Sequence, residues 1–178
     1  MKLKYIPNIL SAVRLMLVGV FVYTYFCTNK YIALAIFFLA GATDVIDGIL
    51  ARRFNWITNL GKILDPIADK SMQITVLICM CIDMLLPWWL PAFFVIKEAL
   101  MALGALFVFK KRDTVVSSKW FGKLAVCVFY AAIFIIIVAD PSATVVVLLS
   151  LLTISFALLA FVNYTRKYIK KNNKTDQV

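Results

Sequence analysis

The sequence predicts an all-α, polytopic membrane protein with six transmembrane helices, both termini in the cytoplasm and a short interfacial helix at the N-terminus. Three observations carry that expectation. Of the 178 residues, 63% are hydrophobic and 16% are charged, against roughly 45–50% and about 25% in a soluble domain. The mean hydropathy is +0.93. The charges cluster between long apolar runs, and a chain this short has no interior large enough to hide so much apolar surface from water.

Six runs reach the ~20 residues that cross about 30 Å of hydrocarbon. They extend from Leu10 to Cys27, Tyr31 to Leu50, Ile63 to Leu86, Trp88 to Phe109, Trp120 to Val138, and Ser142 to Tyr164. Pro7, Asn8 and Arg14 interrupt the start of the first run, which argues against a cleavable signal. Ahead of it, Lys2-Leu3-Lys4-Tyr5-Ile6 has the make-up of an amphipathic helix, so residues 1–9 are expected along the inner interface. Residues 165–178 form a basic polar tail, expected to fray beyond Tyr168. No linker, repeat or low-complexity block divides the chain, so 1–178 is read as one domain.

Lysine and arginine placement sets the orientation. With both termini inside, the cytoplasmic set runs from Lys2, Lys4 and Arg14 through Arg52, Arg53, Lys62, Lys70, Lys110, Lys111, Arg112, Lys119 and Lys123 to Arg166–Lys174. Lys30 alone falls in an outer loop, and Lys97 lies within the fourth span. The outer connections carry Trp88 and Trp89, which suit the interface, or Asp140 and Pro141.

Composition also excludes chemistries. There is no histidine, which removes histidine metal sites, histidine bases and Ser-His-Asp triads. Cys27, Cys79, Cys81 and Cys127 all sit in apolar runs without the paired spacing of a zinc site, and read as small buried side chains. The net charge of +10 borders the spans rather than covering a soluble face, so the expected partner is an anionic lipid leaflet and not nucleic acid.

Nine residues are acidic, and four of them, Asp44, Asp47, Asp65 and Asp69, fall within a short stretch. A carboxylate near a bilayer-buried helix is costly and marks a functional site by default. Asp44 and Asp47 are three apart and share one helix face; Asp65 and Asp69 are four apart and share another. The short connection from Arg52 to Lys62 is expected to set the two helix ends side by side. Gathered carboxylates need a counter-charge. Lys62, Lys70, Arg52 and Arg53 offer one answer, a salt-bridged junction. A divalent metal offers another, and an all-oxygen donor set suits Mg²⁺, Mn²⁺ or Ca²⁺ rather than zinc. A hard metal beside basic residues points to a phosphate or diphosphate substrate. Gly41, Ala42, Gly48 and Ala51 thin the helix there, either for a ligand or for close helix packing.

Asp44-x-x-Asp47-Gly48-x-x-Ala51-Arg52, then eight residues, then Gly61-x-x-x-Asp65-x-x-x-Asp69, resembles the signature of the CDP-alcohol phosphotransferase family. The opening Pro7-Asn8-x-x-Ser11-x-x-Arg14 resembles its phosphatidylglycerophosphate synthase branch, with serine where threonine is usual. The resemblance implies a six-helix fold, a homodimer and an integral protein of a bacterial cell membrane with its active site facing the cytoplasm. It further implies that Asp44, Asp47, Asp65 and Asp69 hold Mg²⁺ or Mn²⁺, two ions being expected. Asp69 would take the proton from the acceptor hydroxyl, and Asn8, Gly48, Ala51 and Arg52 would contact the CDP part of CDP-diacylglycerol.

For the acceptor, the resemblance favours glycerol 3-phosphate, with Lys97, Arg112 and Lys123 as candidate contacts to its phosphate. Lys97-Glu98 stands where the branch carries Arg-Glu; pairing of Lys97 with Glu98 is the plainer reading of the same residues. Gly122-Lys123 opens like the branch's Gly-Lys-x-Lys-Thr but continues Leu124-Ala125-Val126. Phosphatidylglycerol, as in CMP-forming cardiolipin synthases, is the alternative acceptor. A small cation transporter is the alternative from another class, although such sites favour broken helices near the midplane.

Overall fold

The computed structural model describes the backbone of residues 6–54, 61–111 and 119–175, and the side chains of 8–49, 53–54, 61, 64–101 and 122–162. Among the described residues there are six helices and no strands: α1 (Ile6–Cys27), α2 (Lys30–Arg53), α3 (Gly61–Ile82), α4 (Trp89–Lys111), α5 (Lys119–Ala139) and α6 (Ala143–Thr175). Four stretches among the described residues are long and apolar enough to cross a membrane: Asn8–Cys27, Lys30–Ile49, Gly122–Ala139 and Ala143–Val162. Large apolar side chains such as Met16, Tyr23, Leu39, Ile46 and Leu148 point outward, as lipid permits and water does not. The chain is an integral membrane protein. α3 is the polar exception, because Asp65, Asp69 and Lys70 crowd its first turns.

The termini of the helices depart from expectation for local reasons. α1 begins at Ile6 rather than Leu10, which puts Pro7 in the first turn, where its missing N–H has no helical partner to lose. Residues 1–5 of the expected interfacial segment lie outside the described residues. α3 stops at Ile82, short of Leu86, and its end is capped twice: Leu85 N–H reaches the Met80 carbonyl at 2.9 Å and Met84 N–H the Cys81 carbonyl at 3.1 Å. That pattern requires a left-handed residue, and Met84 supplies it at φ 58° despite its Cβ. α6 continues to Thr175, through the tail expected to fray. The tail has no glycine or proline to stop the helix.

The helices form two compact units, divided within α4 after Glu98. In the first, α1 packs along both α2 and α3, whereas α2 and α3 meet each other only briefly. Its core takes Phe21 and Tyr25 from α1, Ala33, Phe37 and Ala40 from α2, and Ala68, Met72, Val76 and Met80 from α3. In lipid, helices gain by close packing rather than by leaving water, and the alanines let the backbones approach. Asn29 caps α2 by accepting the Tyr31 N–H on its side-chain oxygen at 2.7 Å. Beside that cap the ammonium of Lys30 pairs with Asp83, and the Tyr25 hydroxyl donates to the same carboxylate at 3.4 Å. The end of α1, the start of α2 and the turn after α3 are thereby tied together. The opposite end of the same three helices holds the aspartates.

In the second unit α5 and α6 are antiparallel, joined through Asp140-Pro141-Ser142. Asp140 takes φ 40°, a backbone that aspartate tolerates better than most residues. Phe129, Ala132, Ile133, Ile136 and Ile137 of α5 are buried, as are Val146, Ser150, Thr153 and Ala157 of α6. Both sets follow the three-and-four spacing of a single helix face.

Candidate active site

The site is organised by α1. Ser11 and Arg14 lie three residues apart on one face of that helix and are both fully buried, Arg14 at 1% exposure. The guanidinium of Arg14 reaches across to α2, where Nη1 lies 2.5 Å from Asp44 Oδ1 and Nη2 donates to Asp47 Oδ2. One planar fork therefore holds both carboxylates, which the three-residue spacing had put on one face. The hydroxyl of Ser11 donates to Asp65 Oδ1 on α3. Asp47 is also reached by the backbone amide of Gly48. The charges of Asp65 and Asp69 act on Asp44, and those of Asp44 and Asp65 act on Asp47. All four aspartates belong to one electrostatic cluster.

Asp69 faces a second set of partners. Gln73 Nε2 donates to Asp69 Oδ1 at 3.1 Å, and Lys70 Nζ lies 3.5 Å from Asp69 Oδ2. The same ammonium stands 3.3 Å from Glu98 Oε1 on α4, and Lys97 pairs with that oxygen at 2.6 Å. Lys97 also sits over the Phe94 ring, 5.1 Å from its centroid. Lys97 is thus engaged by Glu98, the plainer of the two readings of that dipeptide.

Of the counter-charges expected from the sequence, Lys70 takes part. The side chains of Lys62 and Arg52 lie outside the described residues, and Arg53 is exposed at the end of α2. Arg14, which the sequence offers as a topology residue and as part of the opening motif but not as a counter-charge, takes the larger share. An arginine inside an apolar span should have raised the same functional presumption as the aspartates. Gln73 was missed too. Asn8 lies half-buried on α1 one turn before Ser11, and Gly48 follows Asp47 on α2. The side chains of Ala51 and Arg112 lie outside the described residues. Lys123 is exposed on α5, in the second unit.

The fit to a metal rests on donor chemistry and charge. Among the described residues no three acidic or sulfur side chains stand close enough together to hold one ion. Yet every candidate donor is a carboxylate oxygen, the set that hard divalent cations prefer. Among the described residues, the cluster sets Asp44, Asp47, Asp65, Asp69 and Glu98 against Arg14, Lys70 and Lys97, leaving two negative charges over. One divalent ion would balance them. The residues present fit such an ion by chemistry and by charge.

A profile of CDP-alcohol phosphatidyltransferases matches residues 4–162, from ahead of α1 to within α6. The chain belongs to this family. A Mycobacterium tuberculosis protein named "Probable phosphatidylglycerophosphate synthase" is 30% identical over 173 residues, covering 93% of this chain and 82% of that protein. A Rickettsia typhi CDP-diacylglycerol–glycerol-3-phosphate 3-phosphatidyltransferase is 37% identical over 73 residues, covering 39% of this chain and 41% of its own. A Schizosaccharomyces pombe fusion protein named as a CMP-forming cardiolipin synthase and mitochondrial hydrolase is 31% identical over 96 residues, or 54% of this chain and 16% of the fusion. As a CDP-alcohol phosphatidyltransferase, the chain is a transferase of phospholipid biosynthesis, and the transporter reading falls away. The family generally uses divalent metals, in keeping with the charge left over at the cluster.

Proposed function

We propose that this phosphatidyltransferase moves the phosphatidyl group of CDP-diacylglycerol to glycerol 3-phosphate and releases CMP. The observation that supports the reading is that one face of α1 engages Asp44 and Asp47 through Arg14 and Asp65 through Ser11, while Asp69 has its own partners in Gln73 and Lys70. Asp44, Asp47, Asp65 and Asp69 would hold Mg²⁺ or Mn²⁺, which when bound supplies positive charge against the diphosphate oxygens. Asp69 takes the proton of the acceptor hydroxyl as its oxygen forms a bond to the phosphorus that bears diacylglycerol. The bond from that phosphorus to the bridging oxygen breaks, and CMP carries the electron pair away. Asp69 is suited to the base role because it is part-exposed, so a hydroxyl can reach it, while Gln73 and Lys70 fix its orientation.

The nucleotide side is assigned to Asn8, Gly48, Ala51 and Arg52, and the acceptor phosphate to Lys123, Arg112 and Lys97. Six spans, cytoplasmic termini, a cytoplasmic active site in a bacterial membrane and a homodimer complete the proposal. The pairing of Lys97 with Glu98 favours a second reading, in which the acceptor is phosphatidylglycerol and the product cardiolipin. An acceptor phosphate would have to compete with Glu98 for that ammonium.

The test is CMP release by purified protein given CDP-diacylglycerol, Mg²⁺ or Mn²⁺ and each acceptor separately. Glycerol 3-phosphate is expected to outpace phosphatidylglycerol by about tenfold or more, the equivalent of roughly 1.4 kcal/mol. The reverse order makes the chain a cardiolipin synthase. No CMP from folded protein with either acceptor ends the transferase proposal. In the same assay Lys123→Ala is expected to raise the KM for glycerol 3-phosphate about tenfold with kcat retained, since one charged contact contributes roughly 1.5–3 kcal/mol. An unchanged KM would leave Lys123 a topology residue only.

A further inference from the structure

Gln73 is an outlier on α3. It is 5% exposed, and Met72, Val76 and Leu77 around it are buried and apolar. A primary amide in that setting is costly unless its hydrogen bonds are made. Its nitrogen donates to Asp69 Oδ1 at 3.1 Å, and its oxygen faces Lys70 Nζ at 3.5 Å. The charges on either side dictate which end of the amide points where. The carboxylate accepts only from the NH₂ end, and the ammonium donates only to the carbonyl end. Gln73 stands four residues beyond Asp69, on the same face and on its buried side.

We propose that Gln73 is the positioning residue for Asp69, a step that rests on the reading of Asp69 as the base. Gln73 is too buried to touch either substrate, so it acts through the carboxylate. The amide and Lys70 hold the two oxygens of Asp69 from different sides, leaving its exposed edge toward the acceptor hydroxyl. A neutral donor suits this task. It fixes the orientation of the carboxylate without adding a second positive charge to the one that Lys70 already places 3.5 Å from Oδ2. A cation in place of Gln73 would put positive charge on both oxygens of Asp69, whereas an apolar residue would leave Lys70 as the one described group holding the carboxylate.

Gln73→Met keeps the length of the side chain and removes the donor. It is expected to lower kcat ten- to a hundredfold, the scale of an ångström-sized misplacement of a catalytic group. The KM for CDP-diacylglycerol and for the acceptor should stay within about twofold, because only the transition state feels the orientation of the base. Gln73→Asn, which keeps an amide for folding but withdraws it by one methylene, is the second variant and is expected to lose kcat in the same sense. The thermal midpoint of each variant is measured beside its turnover. Wild-type kcat in either folded variant overturns the proposal, as does a loss confined to KM. If the wild-type protein itself releases no CMP, the transferase reading fails and the role of Gln73 fails with it. Turnover by the wild type with unaltered turnover in the variants removes the role of Gln73 alone.

Discussion

Asp69→Asn is expected to lower phosphatidyl transfer by about a thousandfold or more and to leave the helices intact. The asparagine has the shape of the aspartate but cannot take a proton from a hydroxyl at neutral pH, and a positioned general base contributes roughly 10²–10⁴ in rate. The loss of one metal-binding oxygen adds to that. The fold should tolerate the change for reasons visible around the residue. The asparagine oxygen still accepts the Gln73 amide, and Lys70 keeps its ion pair with Glu98. CMP release and thermal midpoint, measured on the same preparation, check both halves of the expectation. Turnover near the wild-type level would remove Asp69 as the base.

Arg14→Met is expected to have the largest effect on stability. Among the described residues the guanidinium is the one group that joins Asp44 to Asp47, and Asp47 has 4% of its side chain exposed. Removing one partner of a buried ion pair strands the other, at about 3–5 kcal/mol. Here two carboxylates of the same sign would be left on one helix face, which drives them apart. The metal-free variant should therefore unfold well below the wild type. Millimolar Mg²⁺ or Mn²⁺ should recover part of the difference, since a divalent ion bound only by the folded state stabilises it. Arg14→Lys should fall between the two, because an ammonium keeps the charge but loses the planar fork that serves two carboxylates at once. Equal thermal midpoints for wild type and Arg14→Met would show that the fork carries no stability.

Much of the site was legible because helix geometry is local. The spacings Asp44 to Asp47 and Asp65 to Asp69 place each pair on one face whatever surrounds the helix, and the absence of histidine directs the chemistry to carboxylates. Gln73 was open to the same arithmetic, being four residues from Asp69. It was passed over because a single amide in an apolar run gives no sign of whether its partner is a carboxylate, a backbone carbonyl or another helix. Lys97 was open to two readings for a similar reason. Its partner Glu98 is the next residue in the chain, and the packing adds that the same carboxylate also faces Lys70 of α3.

The manner in which the aspartate pairs come together was not legible. A short connection between the second and third spans argued for direct contact of their ends. The two helices do meet, but only briefly; α1 packs more extensively along both, and from one of its faces Ser11 reaches Asp65 and Arg14 reaches Asp44 and Asp47. Ser11 and Arg14 were visible as part of a motif, and Arg14 as one of many basic residues near the inner face. What they touch depends on which helix lies between which, and that follows from side-chain packing summed over the whole unit.

By itself, then, the sequence determined an all-helical membrane protein, the two faces that carry Asp44, Asp47, Asp65 and Asp69, and the family signature they spell. These follow from hydropathy and from a repeat of 3.6 residues per turn, which need no knowledge of neighbours. The tertiary structure decided that α1 sits between the two aspartate helices, that a buried arginine balances one pair, and that a buried glutamine steadies the carboxylate proposed as the base. The contacts of Ser11 and Arg14 join residues far apart in the chain and exist only once the helices have packed, whereas the bond from Gln73 to Asp69 lies within α3 and only the burial of Gln73 depends on packing.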